Sequence, residues 1–255
     1  MHGNREALQA VWEAAGGQCD QSLCLGDVVG YGAHPNETAE WVRHNSAVTV
    51  RGNHDRVCAR GNGSEEFNAV ARTAALWTHT HLRPENLEWL QNLPMGPVEI
   101  PGLAGGLRLA HGSPEDEDEY ILAGYQAARL LAGEGPRVTL IGHTHVQGGW
   151  ERGPEGEVRP LLPPHPPEIW TPDSAAQATV LRQTVTLRKG CRYLINPGAV
   201  GQPRDRDWRA AFILLQDAPA EVTFLRIPYD LAAARAAILA AGLPVSLGTR
   251  LERGQ

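Results

Sequence analysis

The chain has 255 residues, enough to bury a sizeable core in one large domain or two small ones. With 23 Lys and Arg against 29 Asp and Glu it carries a formal charge of -6, which argues against a nonspecific nucleic-acid binder, a class that is normally basic. It reads without a membrane-spanning apolar run or a signal peptide. Its cysteines, Cys19, Cys24, Cys58 and Cys191, lack paired C-x-x-C spacing and read as reduced thiols of a cytoplasmic protein.

Residues 4–15 pattern as an amphipathic helix with Leu8, Val11, Trp12 and Ala15 on one face. Ser22-Leu23-Cys24-Leu25 reads as a strand running into Gly26-Asp27. After a loop, Pro35 suits the start of a helix through Glu40, Trp41 and Val42. Ala47-Val48-Thr49-Val50 is short and β-branched, as a buried strand should be, and leads into Arg51-Gly52-Asn53-His54-Asp55. Helices are expected over 65–82 and 84–93, then adjacent strands at 98–100 and 107–110 joined by a turn over 101–106. The acidic run 115–119 reads as a solvated helix start, followed by a helix over 124–131 and a strand over 138–141. Residues 153–173 are Pro-rich and aperiodic, a surface excursion within a single domain spanning 1–255. Strands over 178–188, 192–195, 211–215 and 222–227 precede a terminal helix over 231–241, and no internal repeat is present.

One construction recurs along this order. An apolar strand, an adjacent Gly and then Asp, Asn or His occurs at Gly26-Asp27, at Gly52-Asn53-His54-Asp55, at His111-Gly112 and at Gly142-His143-Thr144-His145. Polar side chains at buried strand ends are costly unless something binds them, and such ends are where open α/β sheets hold ligands. The mixture of nitrogen and oxygen donors suits Mn, Fe or Zn better than Ca or Mg. If 143–145 is extended, His143 and His145 point the same way and can reach one cluster. His79-Thr80-His81 imitates the last motif, but it lies in a predicted helix, where residues two apart do not share a face. His34, His44 and His165 read as ordinary polar residues.

Taken as a set, His2, Gly26-Asp27, Gly52-Asn53-His54-Asp55, His111-Gly112 and Gly142-His143-Thr144-His145 resemble the calcineurin-like metallophosphoesterase superfamily. The run from Gly26 to Glu37 is similar to a prokaryotic branch. The Arg of the protein phosphatases' first motif is absent, and Asp55 stands where they carry Glu. The resemblance implies a four-layer α/β/β/α sandwich of two mixed sheets flanked by helices. It also implies two divalent transition metal ions, with Mn ahead of Fe or Zn. Asp27 would bridge them, Asn53, His111 and His143 would hold the second, and His2 and His145 the first.

By the same resemblance His54 is catalytic, stabilising the transition state or protonating the leaving oxygen. Asp55 would orient His54 or, the favoured reading, cap a helix. Relatives begin this motif with a strand ending in Asp-x-His; here Met1 falls on the x and His2 remains. The expectation is a start placed or trimmed several residues late, or a protein that has lost a ligand, with a weakly held first metal. Arg204, in the loop after Asn196-Pro197-Gly198, could meet a substrate phosphate or pair with Asp205 or Asp207.

The expected activity is hydrolysis of phosphodiesters or small phosphoanhydrides, with a small phosphorylated substrate and neither membrane nor nucleic acid as partner. The alternatives are an inactive protein-binding scaffold on this fold and a nuclease, which wants a basic groove. Nothing in the sequence speaks to the oligomeric state.

Overall fold

The computed structural model describes residues 1–102, 105–163 and 166–255, so His165 and the middle of the expected 101–106 turn lie outside the described residues. In chain order the elements are α1 (Arg5–Ala15), β1 (Ser22–Cys24), α2 (Pro35–Asn45), β2 (Ser46–Thr49), α3 (Asn53–Arg60), α4 (Ala69–His81) and α5 (Pro84–Gln91). There follow β3 (Val98–Ile100), β4 (Leu107–Leu109), α6 (Gly124–Ala132), β5 (Val138–Leu140), β6 (Gly148–Arg152), β7 (Val158–Pro160) and α7 (Pro172–Gln177). The chain closes with β8 (Leu181–Thr186), β9 (Arg192–Asn196), β10 (Ala210–Gln216), β11 (Glu221–Ile227), α8 (Leu231–Ala240) and α9 (Val245–Arg253).

Six strands form a mixed sheet in the order β3-β4-β5-β9-β6-β7, with β4, β5 and β9 parallel at its centre. Facing it is a second β layer in two pieces, the parallel pair β1-β2 and the antiparallel β10-β11-β8. Both pieces send side chains into one core: Leu23 and Val48 from the pair, Ile213, Val222 and Phe224 from the triplet, against Leu107, Leu109, Val138, Tyr193 and Ile195. Strand alternation turns the neighbours outward. Cys24 packs under α2 and α3, whereas Ala210 and Phe212 pack under α1 and α8. On the far side of the large sheet, Ala127 and Leu131 of α6 cover Ile141 and Leu194. The layers are therefore helix, sheet, sheet, helix, as the resemblance implied.

Local signals placed several ends well. Asn4 caps α1 by accepting the Ala7 N–H at 3.1 Å, and Pro35 and Pro84 open α2 and α5. Asn68 caps α4, so that helix begins after the stretch 65–68 rather than at 65. The acidic run 115–119 is not a helix start. Ser113 Oγ accepts the N–H groups of Glu115 and Asp116 in a turn, and Glu117 is buried against the guanidiniums of Arg51 and Arg56. Within 153–173, Val158–Pro160 pairs with β6, and Trp170 donates its N–H to Glu252 O at 2.8 Å. The elements β6, β7, α7 and α9 were not expected from the sequence. The first three are short and carry little periodicity, whereas α9 is amphipathic, burying Leu247, Gly248 and Leu251 on one face.

Candidate metal centre

Strands β1, β2, β4 and β5 each end two to four residues before a candidate ligand, and the loops meet at one edge of the two sheets. The Gly142 N–H donates to His111 O at 2.7 Å, the Met1 and His2 backbone nitrogens to Asp27 O at 2.7 and 2.8 Å, and the His54 N–H to Asp27 Oδ1 at 3.0 Å. These turns are tight. His2, Asp27, Tyr31, His143 and His145 all have φ between 52° and 65°, a left-handed conformation costing about 1–3 kcal/mol per non-glycine residue unless the surroundings hold it. Gly52 is required here because a Cβ would meet the Asp27 backbone nitrogen and carboxylate.

Two groups of donors result, sharing Asp27: His2, Asp27 and His145, and Asp27, His111 and His143. Within each group the ligand atoms lie within 4.8 Å of one another, and all five residues are buried. Asp27 Oδ2 faces Nε2 of His2 at 3.2 Å, of His111 at 3.5 Å and of His145 at 3.7 Å, and the Nε2 atoms of His2 and His145 are 3.0 Å apart.

Backbone carbonyls set the tautomers. His2 Nδ1 meets Val29 O at 3.1 Å, His111 Nδ1 meets Leu25 O at 2.6 Å and His145 Nδ1 meets Gln202 O at 2.7 Å. A ring that gives its Nδ1 proton to a carbonyl presents Nε2 as a lone pair, which is how metal-binding imidazoles are oriented. His143 is reversed: its Nε2 faces Asp118 O at 3.1 Å, leaving Nδ1 toward the cluster.

The donor set fits divalent transition metals. Nitrogen–metal bonds of about 2.0–2.1 Å separate neighbouring ligand atoms by about 3 Å, the spacing seen between His2 and His145. Asn53 Oδ1 and His111 Nε2 are buried and have no hydrogen-bond partner among the described residues, the kind of orphaned acceptor that an ion would satisfy.

Electrostatics favour the ligand forms of His2, His143, His145 and Asp27. Burial holds His2 well below the ordinary imidazole value and brings His143 to about 4 and His145 to about 3, so these rings are neutral near pH 7. Burial works against ionised Asp27, but His111 and His2 outweigh it and pull its carboxyl well down. His111 moves the other way, since Asp27 beside it more than offsets the effect of burial.

His54 lies buried beside the first group, its ring 4.9 Å from that of His2, 4.4 Å from Tyr31 and 4.5 Å from Phe67. Its Nδ1 has no partner among the described residues, and a Cβ on Gly30 would come within 2.6 Å of that atom. Asp55 caps α3 by accepting the Gly52 N–H at 3.0 Å. It also accepts the N–H groups of Val28 and Val29 at 2.8 and 3.2 Å, tying the Asp27 loop to the Asn53 loop. Burial, then the nearby Asp27 carboxylate, pushes it up to about 6.

Arg204 donates to Tyr31 Oη at 3.4 Å and Gln202 Oε1 at 3.3 Å, while Arg226 engages Asp205, and Arg209 and Arg226 engage Asp207.

The structure thus brings His2, Asp27, His54, His111, His143 and His145 together, starts α3 with Asn53 between Gly52 and His54, and sets Arg204 beside Tyr31. His143 and His145 reach the cluster by another route than expected. They lie in left-handed turns beyond β5 rather than in extended backbone. From α4, His79 meets the carbonyl of Cys58 on α3 and His81 that of Trp77 on α4 itself, while His44 meets that of Glu40. The sequence reading missed two contributors. Asn196 braces the 142–145 turn through Gly142 O at 2.7 Å and Thr144 Oγ1 at 2.9 Å, and Tyr31 packs on His2. Asn196 could have been found as another polar residue ending an apolar strand; Tyr31 carried no such signal. The four cysteines are free thiols, and no helix of the described residues is long and apolar enough to cross a membrane.

A family model described as calcineurin-like phosphoesterase matches residues 1–147. The chain is 31% identical to the uncharacterized protein MJ0912 of Methanocaldococcus jannaschii, covering 100% of this chain and 96% of that one. A solved metallophosphoesterase from Sphaerobacter thermophilus is similar at 36% identity and a TM-score of 0.78, over 100% of this chain and 96% of that chain. The hypothetical protein PH1004 from Pyrococcus horikoshii shares the fold at 19% identity and a TM-score of 0.73, over 100% and 95% of the two chains.

Proposed function

Because the chain belongs to the calcineurin-like phosphoesterase family, with 147 residues matching that family's model, we propose that it hydrolyses phosphodiesters or small phosphoanhydrides with the help of two divalent metal ions. The observation that carries this reading is the shared carboxylate: Asp27 Oδ2 faces imidazole nitrogens of both donor groups within 3.7 Å. One anion common to two sites lowers the repulsion between two dications.

In this proposal His2, Asp27 and His145 hold one ion, and Asp27, Asn53, His111 and His143 hold the other. Mn fits this nitrogen and oxygen set, as do Fe and Zn. When bound, such a pair acidifies a water and draws charge from the phosphoryl oxygens. The chain supplies the rest. The carbonyls of Val29, Leu25 and Gln202 keep three rings in the ligand tautomer. Asp55 holds the two loops in register, and the packed rings of Tyr31 and Phe67 fix His54. His54 keeps a ring nitrogen for the substrate, where an imidazole can stabilise or protonate the departing oxygen. A small phosphorylated substrate and a cytoplasmic location, where the four thiols stay reduced, complete the reading.

The test is hydrolysis of bis(p-nitrophenyl) phosphate by protein stripped with a chelator and then supplied with Mn, Zn or nothing. Turnover that returns with metal supports the proposal. Stoichiometric metal binding without turnover of this or any diphosphate diester would leave the scaffold reading in its place.

A further inference from the structure

Beyond the metal donors, two arginines converge on the tyrosine that packs against them. The Arg204 N–H donates to His145 O at 3.1 Å, which anchors the residue directly beside a candidate ligand. Its guanidinium carbon lies 6.0 Å from the centre of the Tyr31 ring, and that of Arg250, from α9, lies 5.6 Å from the same centre. The ring in turn stands 4.7 Å from His2 and 4.4 Å from His54.

Two like charges gathered this closely repel unless an anion joins them. Several other arginines of this chain have a carboxylate: Arg51 and Arg56 take Glu117, Arg209 takes Asp207, Arg226 takes Asp205 and Arg235 takes Glu252. Among the described residues no Asp or Glu side chain pairs with Arg204 or Arg250. Arg204 Nε is buried with no hydrogen-bond partner among the described residues, and Arg250 donates its Nε to the main-chain O of Gln255 at 2.9 Å. Most of ten guanidinium N–H donors are therefore unspent beside a metal centre, in a protein whose overall charge is -6. A local positive pair on an acidic protein focuses anions, and planar guanidiniums are suited to phosphate oxygens.

We propose that Arg204 and Arg250, arranged around Tyr31, form a second anion subsite that selects substrates carrying another phosphate next to the one hydrolysed. This rests on the phosphoesterase reading. The phosphoryl group under attack lies against the donor groups, and the guanidiniums lie the breadth of the Tyr31 ring away, where the next anionic group of the substrate falls. The substrate class is then a phosphoanhydride or bisphosphate rather than a diester with two uncharged arms.

The experiment compares wild type with Arg250→Gln and Arg250→Lys on two substrates at fixed Mn. One is bis(p-nitrophenyl) phosphate, with a single anionic group; the other is a dinucleoside pyrophosphate, with two. The expected result is that the ratio of kcat/KM for the pyrophosphate to that for the single phosphate falls about 10-fold or more in R250Q, mostly through KM, with partial recovery in R250K. An unchanged ratio overturns the proposal, and so does an equal loss on both substrates. A second measurement is independent of turnover: calorimetric binding of inorganic tripolyphosphate to metal-free protein. Binding that weakens at least about 10-fold in R204Q/R250Q, with the unfolding temperature unchanged, supports the subsite even if neither substrate is hydrolysed, the outcome that would sink only the phosphoesterase reading. Equal binding by the double variant, or none by wild type, overturns the subsite itself.

Discussion

Replacing Asp27 with Asn changes one atom at the centre of the cluster, and the structure separates its effects on folding and on metal binding. Asp27 Oδ1 accepts the His54 backbone N–H at 3.0 Å, and an amide oxygen in that place keeps the bond. Oδ2 faces Nε2 of His2, His111 and His145 at 3.2, 3.5 and 3.7 Å. An amide NH2 there donates to these nitrogens, which are acceptors because each ring has committed Nδ1 to a carbonyl. Metal-free Asp27→Asn should therefore fold about as well as wild type, within about 1 kcal/mol.

What the variant loses is the anion shared by both sites. Wild type at a metal concentration of 100 times Kd gains about 2.7 kcal/mol by linkage. For a chain of this size each kcal/mol moves the midpoint by about 2–4 °C, so Mn should raise the unfolding temperature by about 5–11 °C. The variant should move by less than about 2 °C at the same Mn. Thermal unfolding followed by tryptophan fluorescence, with and without Mn, gives both numbers. A variant that shifts as far as wild type would refute Asp27 as the common ligand. One that is unfolded without metal would refute the amide argument.

His54→Asn should lower kcat by about 100-fold or more while elemental analysis finds the same metal content per chain, and a loss of metal in step with activity would make His54 a ligand instead. Gly52→Ala puts a Cβ into the Asp27 backbone and carboxylate, and should cost about 1–3 kcal/mol of stability along with the Mn-induced shift; a fully metal-responsive variant would show that this loop yields. Glu151→Gln tests a structural site away from the metals. The hydrogen bonds from Arg188, then those from Tyr193 and Arg159, pull the buried Glu151 carboxyl from 4.5 to about 2. A depressed acid contributes stability above its ordinary range and loses it as pH falls through the folded value. The shift corresponds to at most about 3 kcal/mol, and half-exposed arginines reduce that to about 1–2. Urea unfolding at pH 7, 4 and 3 should show the gap between wild type and E151Q closing toward acid, whereas a gap independent of pH would refute the ion-pair origin.

The amino-acid sequence by itself determined where the donors sit along the chain. Short β-branched or apolar runs at 47–50, 107–110 and 138–141 are strands on local grounds, and a Gly beside Asp, Asn or His at their ends needs no distant partner to be recognised. Caps such as Asn4 and Pro35 are equally local. Tertiary structure alone decided how the donors were shared. Asp27, His143 and His145 occupy left-handed backbone that their residue types do not ask for, held there by bonds to loops 25 to 57 residues away, such as His143 Nε2 to Asp118 O and His145 Nδ1 to Gln202 O. The same is true of Glu117, exposed by its composition and buried by Arg51 and Arg56, and of Arg250, whose place beside Tyr31 depends on α9 packing across the chain. Periodicity reports a residue's neighbours in sequence, and these contacts join groups that only the completed sandwich brings together.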